Sequence, residues 1–273
     1  MEKLLYHYTN REGLIGIIES KSIWASKIQY LNDIMEFKHA IEVSRKIITD
    51  ISKKANNSNL NLLFSSLNGS LEQIRNLNIF VASLSEESDL LSQWRGYCQN
   101  GSGYSIGFSK RIIEKSIFPQ GFTLSRCIYD QNKQKKMLKN IIKKAIISIP
   151  ESKNSDLKIS KFIEQASINF VHDFEKIAPF IKHPSFSEEK EWRIASNVIS
   201  SGDTRYKFRI GKTDLIPYVK VHLSTDKDIL PIRHIVVGPG PNENLSRDSV
   251  ATYLSNNKIR RWSVNSSRIP YRG

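Results

Sequence analysis

The chain reads as an α+β protein. Strand-like runs occupy both ends of its 273 residues, and a basic helical block separates them at about 130–180. No internal repeat and no linker long enough to divide the chain interrupts this pattern. One domain over residues 1–273 with a mainly helical insertion is therefore expected.

Lys3–Tyr8 suits a short strand running into His7-Tyr8-Thr9, and Thr9 or Asn10 can cap a helix to about Ser20 with Leu14, Ile17 and Ile18 as its apolar stripe. Ser22–Ser26 reads as a second strand. The polar turn at Asn32 and Asp33 leads into a helix from about Ile34 to Lys54, where Phe37, Ala40, Ile41, Ile48 and Ile51 recur at helical spacing. A loop at 55–61 precedes a helix over Leu62–Asn76. Ile79–Leu84 is apolar or small at nearly every position, the mark of a strand buried on both faces. After an acidic loop come a short helix, Leu90–Tyr97, and strands at Tyr104–Phe108 and Phe122–Tyr129. From Asp130 the pattern is helical. Lys133, Lys135, Lys136, Lys139, Lys143 and Lys144 lie on one side, and Met137, Leu138, Ile141, Ile142 and Ala145 on the other. Pro150 closes this helix, and a second one, Asp156–Phe180, buries Phe162, Ile163, Ala166, Phe170 and Phe174. Strands near Tyr206–Ile210, Ile216–His222 and Ile229–Val237, a helix at Leu245–Leu254 and a strand at Lys258–Val264 complete the order.

The charge balance narrows the partners. Forty-one Lys and Arg against 27 Asp and Glu leave +14, a field that attracts polyanions, nucleic acid first among them. A genome rich in Lys, Asn and Ile codons gives the same composition without any such partner. No apolar run approaches ~20 residues, so no membrane span is expected. The opening residues enter a strand-like run without a signal-peptide cleavage pattern, and the two cysteines, Cys98 and Cys127, fit inert thiols in a reducing compartment. A cytoplasmic protein is expected.

Several chemistries are excluded by pattern. The chain lacks a Gly-rich dinucleotide turn, a phosphate loop, a His-Glu-x-x-His helix and a nucleophile elbow. Its six histidines have no paired spacing, so no metal is expected. What stands out is Phe186–Ile194. If Glu189–Ile194 is a strand, its period of two puts Glu189, Glu191 and Arg193 on one face and Trp192 and Ile194 on the other. Two carboxylates beside a guanidinium are a catalytic arrangement; a solvated edge strand carries the same residues.

Four segments together resemble a bacterial family known as a domain of unknown function and grouped with the ADP-ribosyltransferase-like fold. They are Tyr6-His7-Tyr8-Thr9, Ile23-Trp24-Ala25-Ser26 with Leu31–Glu36, Ser92–Tyr97 before Gly103–Phe108, and Lys182–Arg193. The resemblance spans about residues 4 to 240. It implies a split mixed sheet around an NAD cleft, with NAD as co-substrate. By this resemblance His7 binds a ribose hydroxyl, the Tyr8 and Thr9 backbone binds the nicotinamide amide, and one of Trp94, Tyr97 and Tyr104 stacks on nicotinamide. Glu191 binds the nicotinamide ribose by the same resemblance; on physical grounds Glu189, on the same strand face, can orient or deprotonate the acceptor, and Arg193 can keep both carboxylates ionised or hold the diphosphate. Ser26 and Asn32 join the NAD-binding set, with helix capping the competing role for Asn32. The chain departs from the commonest pattern in its long interval between His7 and Glu191, its extra Glu189 and its basic helical block. These departures bear on the substrate and the stacking ring more than on the cleft.

The function expected from all this is transfer of ADP-ribose from NAD to nucleic acid, RNA before DNA, with Lys133, Lys136, Lys139 and Lys143 contacting phosphates. The family type implies a toxin of a defence or toxin–antitoxin system and an acidic neutralising partner. ADP-ribosylation of a protein, hydrolysis of NAD, and nucleic-acid binding without catalysis are the alternatives.

Overall fold

The computed structural model describes residues 2–31, 34–55, 57–98, 103–150, 156–211, 213–224 and 230–270, with side chains at 34–36 and 156–157 left aside. The strands are β1 (Leu4–Thr9), β2 (Ser22–Lys27), β3 (Phe80–Ser85), β4 (Tyr104–Ser109), β5 (Phe122–Arg126), β6 (Glu191–Ser196), β7 (Lys207–Ile210), β8 (Leu215–His222), β9 (Ile232–Val237) and β10 (Ser263–Ser266). The helices are α1 (Arg11–Ser20), α2 (Ile34–Ser52), α3 (Ser58–Ile74), α4 (Leu91–Tyr97), α5 (Lys110–Ile117), α6 (Gln131–Ile147), α7 (Asp156–Glu175) and α8 (Glu243–Asn256). The α+β class and the mixed sheet expected from the sequence are present.

The sheet runs β10-β9-β4-β1-β3-β2-β8-β7, and β6 lies against β3 with β5 beyond it. β10 joins β9 in parallel, while the other pairings are antiparallel. One face packs on α1, α5 and α8 through Leu14, Ile17, Ile113, Ile117, Val250 and Leu254. The other packs on α2, α3, α6 and α7 through Ile41, Leu67, Ile142 and Phe170. The helical block is thus one half of a four-helix layer. β3 feeds both cores, Ala82 and Leu84 into one and Val81 into the other, which is why its sequence is apolar or small throughout.

β3 also carries the feature that shapes the site. β6 occupies one of its edges from Val81 opposite Ala195 to Ser85 opposite Glu191. The other edge is shared. β2 pairs there only at Phe80 and Val81, and β1 only at Ser85, through Tyr6. β1 and β2 must therefore part over Ala82–Leu84. Both strands run antiparallel to β3 and so parallel to each other, and α1, packed on one face of the sheet, makes the crossover between them. Asn10 caps α1 by accepting from Gly13 N at 2.8 Å.

Some expected boundaries move. α3 starts earlier because Asn57 caps it, accepting from Asn59 N at 2.8 Å. α5 was not expected; Ser109 caps it by accepting from Ile112 N. β10 begins later than predicted because Lys258 and Arg261 adopt positive φ, at 57° and 60°. Phe162, expected in the core, is exposed. No described helix is long and apolar enough to cross a membrane.

Two glycines test the packing in opposite directions. A Cβ on Gly103 would lie 2.0 Å from Cys98 Sγ and 2.9 Å from Thr9 O, whereas one on Gly69 inside α3 would meet nothing within 4 Å. Gly103→Ala should destabilise by about 1–3 kcal/mol. Gly69→Ala should stabilise by up to ~1 kcal/mol through helix propensity. Urea unfolding of both variants checks the pair.

Candidate active site

The parted strands open a cleft of about 470 Å³. Its walls come from His7–Asn10 on β1 and the turn after it, from Ser22, Trp24 and Ser26 on β2, and from Val81–Ser85 at the floor. Gly13 and Gly16 line it from α1, Tyr97 from the end of α4, Glu189 and Glu191 from the β6 side, and Arg209 from β7.

His7 Nδ1 donates to Ser83 O at 3.0 Å, within the stretch of β3 that has no ladder partner on that edge. The bond selects the Nδ1–H tautomer and leaves Nε2 as an acceptor. Burial lowers the His7 pKa, the Ser83 bond opposing it only in part, so the ring is neutral near pH 7. Strand alternation sets His7 with Leu5 on the α1 face, and Glu191 with Arg193 and Ala195 on the helical-layer face. The cleft reaches both because it passes through the gap between β1 and β2.

Glu191 is 4% exposed. Its Oε1 accepts from Arg193 Nε at 2.9 Å, and its Oε2 from Arg193 Nη2 at 3.2 Å and Lys182 Nζ at 2.7 Å. Lys182 Nζ also donates to Glu189 Oε2 at 2.6 Å, so one buried ammonium holds the two carboxylates together. Burial pushes the Glu191 carboxyl up, but Arg193 and Lys182 outweigh it and bring the pKa down to about 2. The cations are positioned in turn. Arg193 Nη1 donates to Pro179 O at 2.8 Å. Gln134, buried on α6, donates from Nε2 to Ile128 O at 2.6 Å and to Lys182 O at 2.8 Å. The Tyr129 hydroxyl accepts from Glu191 N at 2.9 Å.

Several expected residues stand elsewhere than the strand pattern implies. Glu189 is off the strand: it ends a 3-10 turn, Pro184–Glu189, and Lys190 follows at φ 42° before β6 begins at Glu191. It still meets Glu191, through Lys182 rather than through strand alternation. Arg193 is committed to Glu191 and Pro179 O, which directs it away from a diphosphate role. Trp94 does not line the cleft. Its Nε1 donates to Asp89 Oδ1 at 2.7 Å and its ring stands edge-on to Tyr8, 4.8 Å between centroids. Tyr104 is buried, its hydroxyl 3.1 Å from Ser246 Oγ. Of the three candidate stacking rings only Tyr97, 41% exposed, lines the cleft. Tyr8, Thr9 and Ser26 line it as well, and Asn32 lies outside the described residues. Lys133, Lys136, Lys139 and Lys143 form an exposed row on α6 that starts beside Gln134.

Trp24, Tyr30 and Arg209 are among the cleft residues that the sequence does not mark as binding groups. Trp24, 48% exposed, stacks on Tyr218 with ring centroids 4.4 Å apart. Tyr30 lies in the same wall, and Arg209 donates from Nη2 to Ser26 Oγ at 3.2 Å. The strand period sets Trp24 on the face of Ser22 and Ser26, opposite Ile23 and Ala25, which was the available signal for it; no local pattern marks Arg209. Among the described residues no group of three or more His, Cys, Asp or Glu stands together as a metal site.

A family model described as "Protein of unknown function (DUF2971)" matches residues 93–194. That stretch contains Tyr97, Gln134, Lys182, Glu189, Glu191 and Arg193, while His7 and the first three strands lie outside it. No curated protein and no solved structure matches the chain.

Because the folded Glu191 pKa lies below its unfolded value, its contribution to stability is complete above the ordinary carboxylate range and is lost as pH falls toward about 2. Glu191→Gln should therefore cost about 3–5 kcal/mol at pH 7, by leaving two buried cations undercompensated. Its unfolding free energy should fall less steeply than wild type between pH 5 and pH 2. Urea titrations across that range measure both effects.

Proposed function

We propose that the protein is an NAD-dependent ADP-ribosyltransferase with a nucleic-acid acceptor, RNA ahead of DNA. The observation that carries this reading is the parted sheet. One cleft gathers a neutral histidine acceptor, bare strand backbone, ring faces and a paired set of carboxylates. These groups suit the parts of NAD. Tyr97 or Trp24 offers a face to a planar base, Arg209 a fork to the diphosphate, and His7 Nε2 an acceptor for a ribose hydroxyl. This arrangement supports the split-sheet, ADP-ribosyltransferase type of fold implied by the sequence resemblance.

NAD supplies the scissile bond: nicotinamide departs with its electron pair, and positive charge develops on the ribose. Glu191 is ionised and fixed before that charge appears. A preorganised group of this kind is worth ~3 kcal/mol in a transition state. Glu189, less buried than Glu191 and anchored by Lys182, takes the proton that the acceptor loses. The α6 lysines begin one residue from Gln134, whose amide holds the Lys182 carbonyl, and offer an exposed cationic row for the phosphates of the acceptor. Such an activity suits a toxin of a defence or toxin–antitoxin system. One observation favours a second reading, a nucleic-acid-binding protein without catalysis: Glu191 already carries the full set of partners that a structural ion pair needs.

Incubation with labelled NAD, with and without RNA, separates these readings. Transfer of label to RNA is expected, with Glu189→Gln reducing the rate at least about a hundredfold while lowering the melting temperature less than Glu191→Gln does, since Lys182 keeps Glu191. Label on protein or free ADP-ribose would reassign the acceptor, and no turnover with salt-sensitive RNA binding would favour the second reading. Replacing Lys139 and Lys143 by Ala should lower the slope of log affinity against log salt by about 1–2.

A further inference from the structure

We infer that β7 is a docking edge for an extended, acidic segment of a partner protein, which joins the sheet as an added strand. β7 ends the sheet, and among the described residues no strand lies on its outer side. Native edges are usually covered or blunted. Here Phe208 and Ile210 are 60% and 89% exposed, and Leu215, opposite Ile210 on β8, extends the same apolar strip. Lys207 and Arg209 alternate with them on the other face. An added strand thus meets backbone donors and acceptors, an apolar face and a cationic face together.

Charge decides the occupant. Two copies of β7 pairing antiparallel must set residues of one face opposite each other. The two registers that overlap three strand residues place Lys207 opposite Arg209, or Arg209 opposite itself. Like charges directly opposite destabilise a pairing, so a second copy of this chain is disfavoured. A foreign strand with acidic residues opposite Lys207 and Arg209, and apolar residues opposite Phe208 and Ile210, satisfies both faces. Arg209 also lines the cleft and donates to Ser26. The docked strand would therefore lie at the cleft's rim and draw on one of its cations. Docking itself requires no particular reaction in the cleft.

The probe is a fluorescent nine-residue peptide alternating glutamate and valine, titrated by anisotropy into the full chain. Saturable binding is expected, with protection of the 207–210 amides from hydrogen exchange. Lys207→Glu should weaken it about tenfold, as should Phe208→Ser with Ile210→Ser; a lysine–valine peptide should bind wild type weakly and Lys207→Glu better. Equal binding of a scrambled peptide would overturn the inference by showing charge attraction without strand pairing. So would a concentration-dependent dimer in sedimentation that Phe208→Ser abolishes, since a second copy would then own the edge. Protection elsewhere than 207–210 would overturn it as well.

Discussion

The buried contact among Lys182, Glu189, Glu191 and Arg193 is the constraint on which the rest of the site depends. Charges withdrawn from water are costly unless each finds partners, and breaking such a set strands the remainder. Lys182 reconciles two carboxylates that would otherwise repel, and Arg193 takes both oxygens of Glu191. The surroundings follow from this need. The segment carrying Lys182 is tied to the chain at Ile128 by backbone bonds in both directions, Ile128 N to Phe180 O at 2.7 Å and Lys182 N to Ile128 O at 3.1 Å. Gln134 then locks that tie to α6. The helical layer is therefore more than a cover for the sheet. It positions the ammonium that positions the acids.

The second constraint is topological. One edge of β3 serves two strands, β2 at Phe80 and Val81 and β1 at Ser85, and neither covers Ala82–Leu84. The unpaired backbone between them becomes a cleft floor instead of an orphaned defect: Ser83 O is satisfied by His7, and the remaining groups face a space open to a ligand. The sheet gap and the ion set meet at Ser85, which pairs with Glu191 in the ladder between β3 and β6 and donates from Oγ to Glu189 O at 2.6 Å. The proposed chemistry needs both features, a gap for a nucleotide and a fixed negative charge beside it.

Much of this was legible in the chain itself. Ile79–Leu84 announced a strand buried on both faces, and Asn10 and the Leu14, Ile17, Ile18 stripe announced α1. The α6 periodicity separated its lysines from its core residues. What escaped depends on tertiary geometry. Glu189 and Glu191 stand two apart, and alternation alone aligned them; Pro184 at the start of the 3-10 turn and the positive φ of Lys190 take Glu189 off the strand. The buried use of Lys182 was hidden because lysine usually marks solvent. Gln134 hid among exposed lysines for the same reason. Arg209 comes to the cleft only because β8 pairs with β2 on one edge and with β7 on the other, a long-range pairing with β2 that no local window contains.

The central claim is that the gap between β1 and β2 holds a dinucleotide against the acidic pair. A crystal structure with a non-cleavable NAD analogue tests it most directly. The account predicts the nicotinamide ribose within hydrogen-bond reach of Glu189 or Glu191, and the diphosphate at Arg209. An analogue bound away from the parted strands, or a ribose separated from both carboxylates by packed side chains, would contradict it.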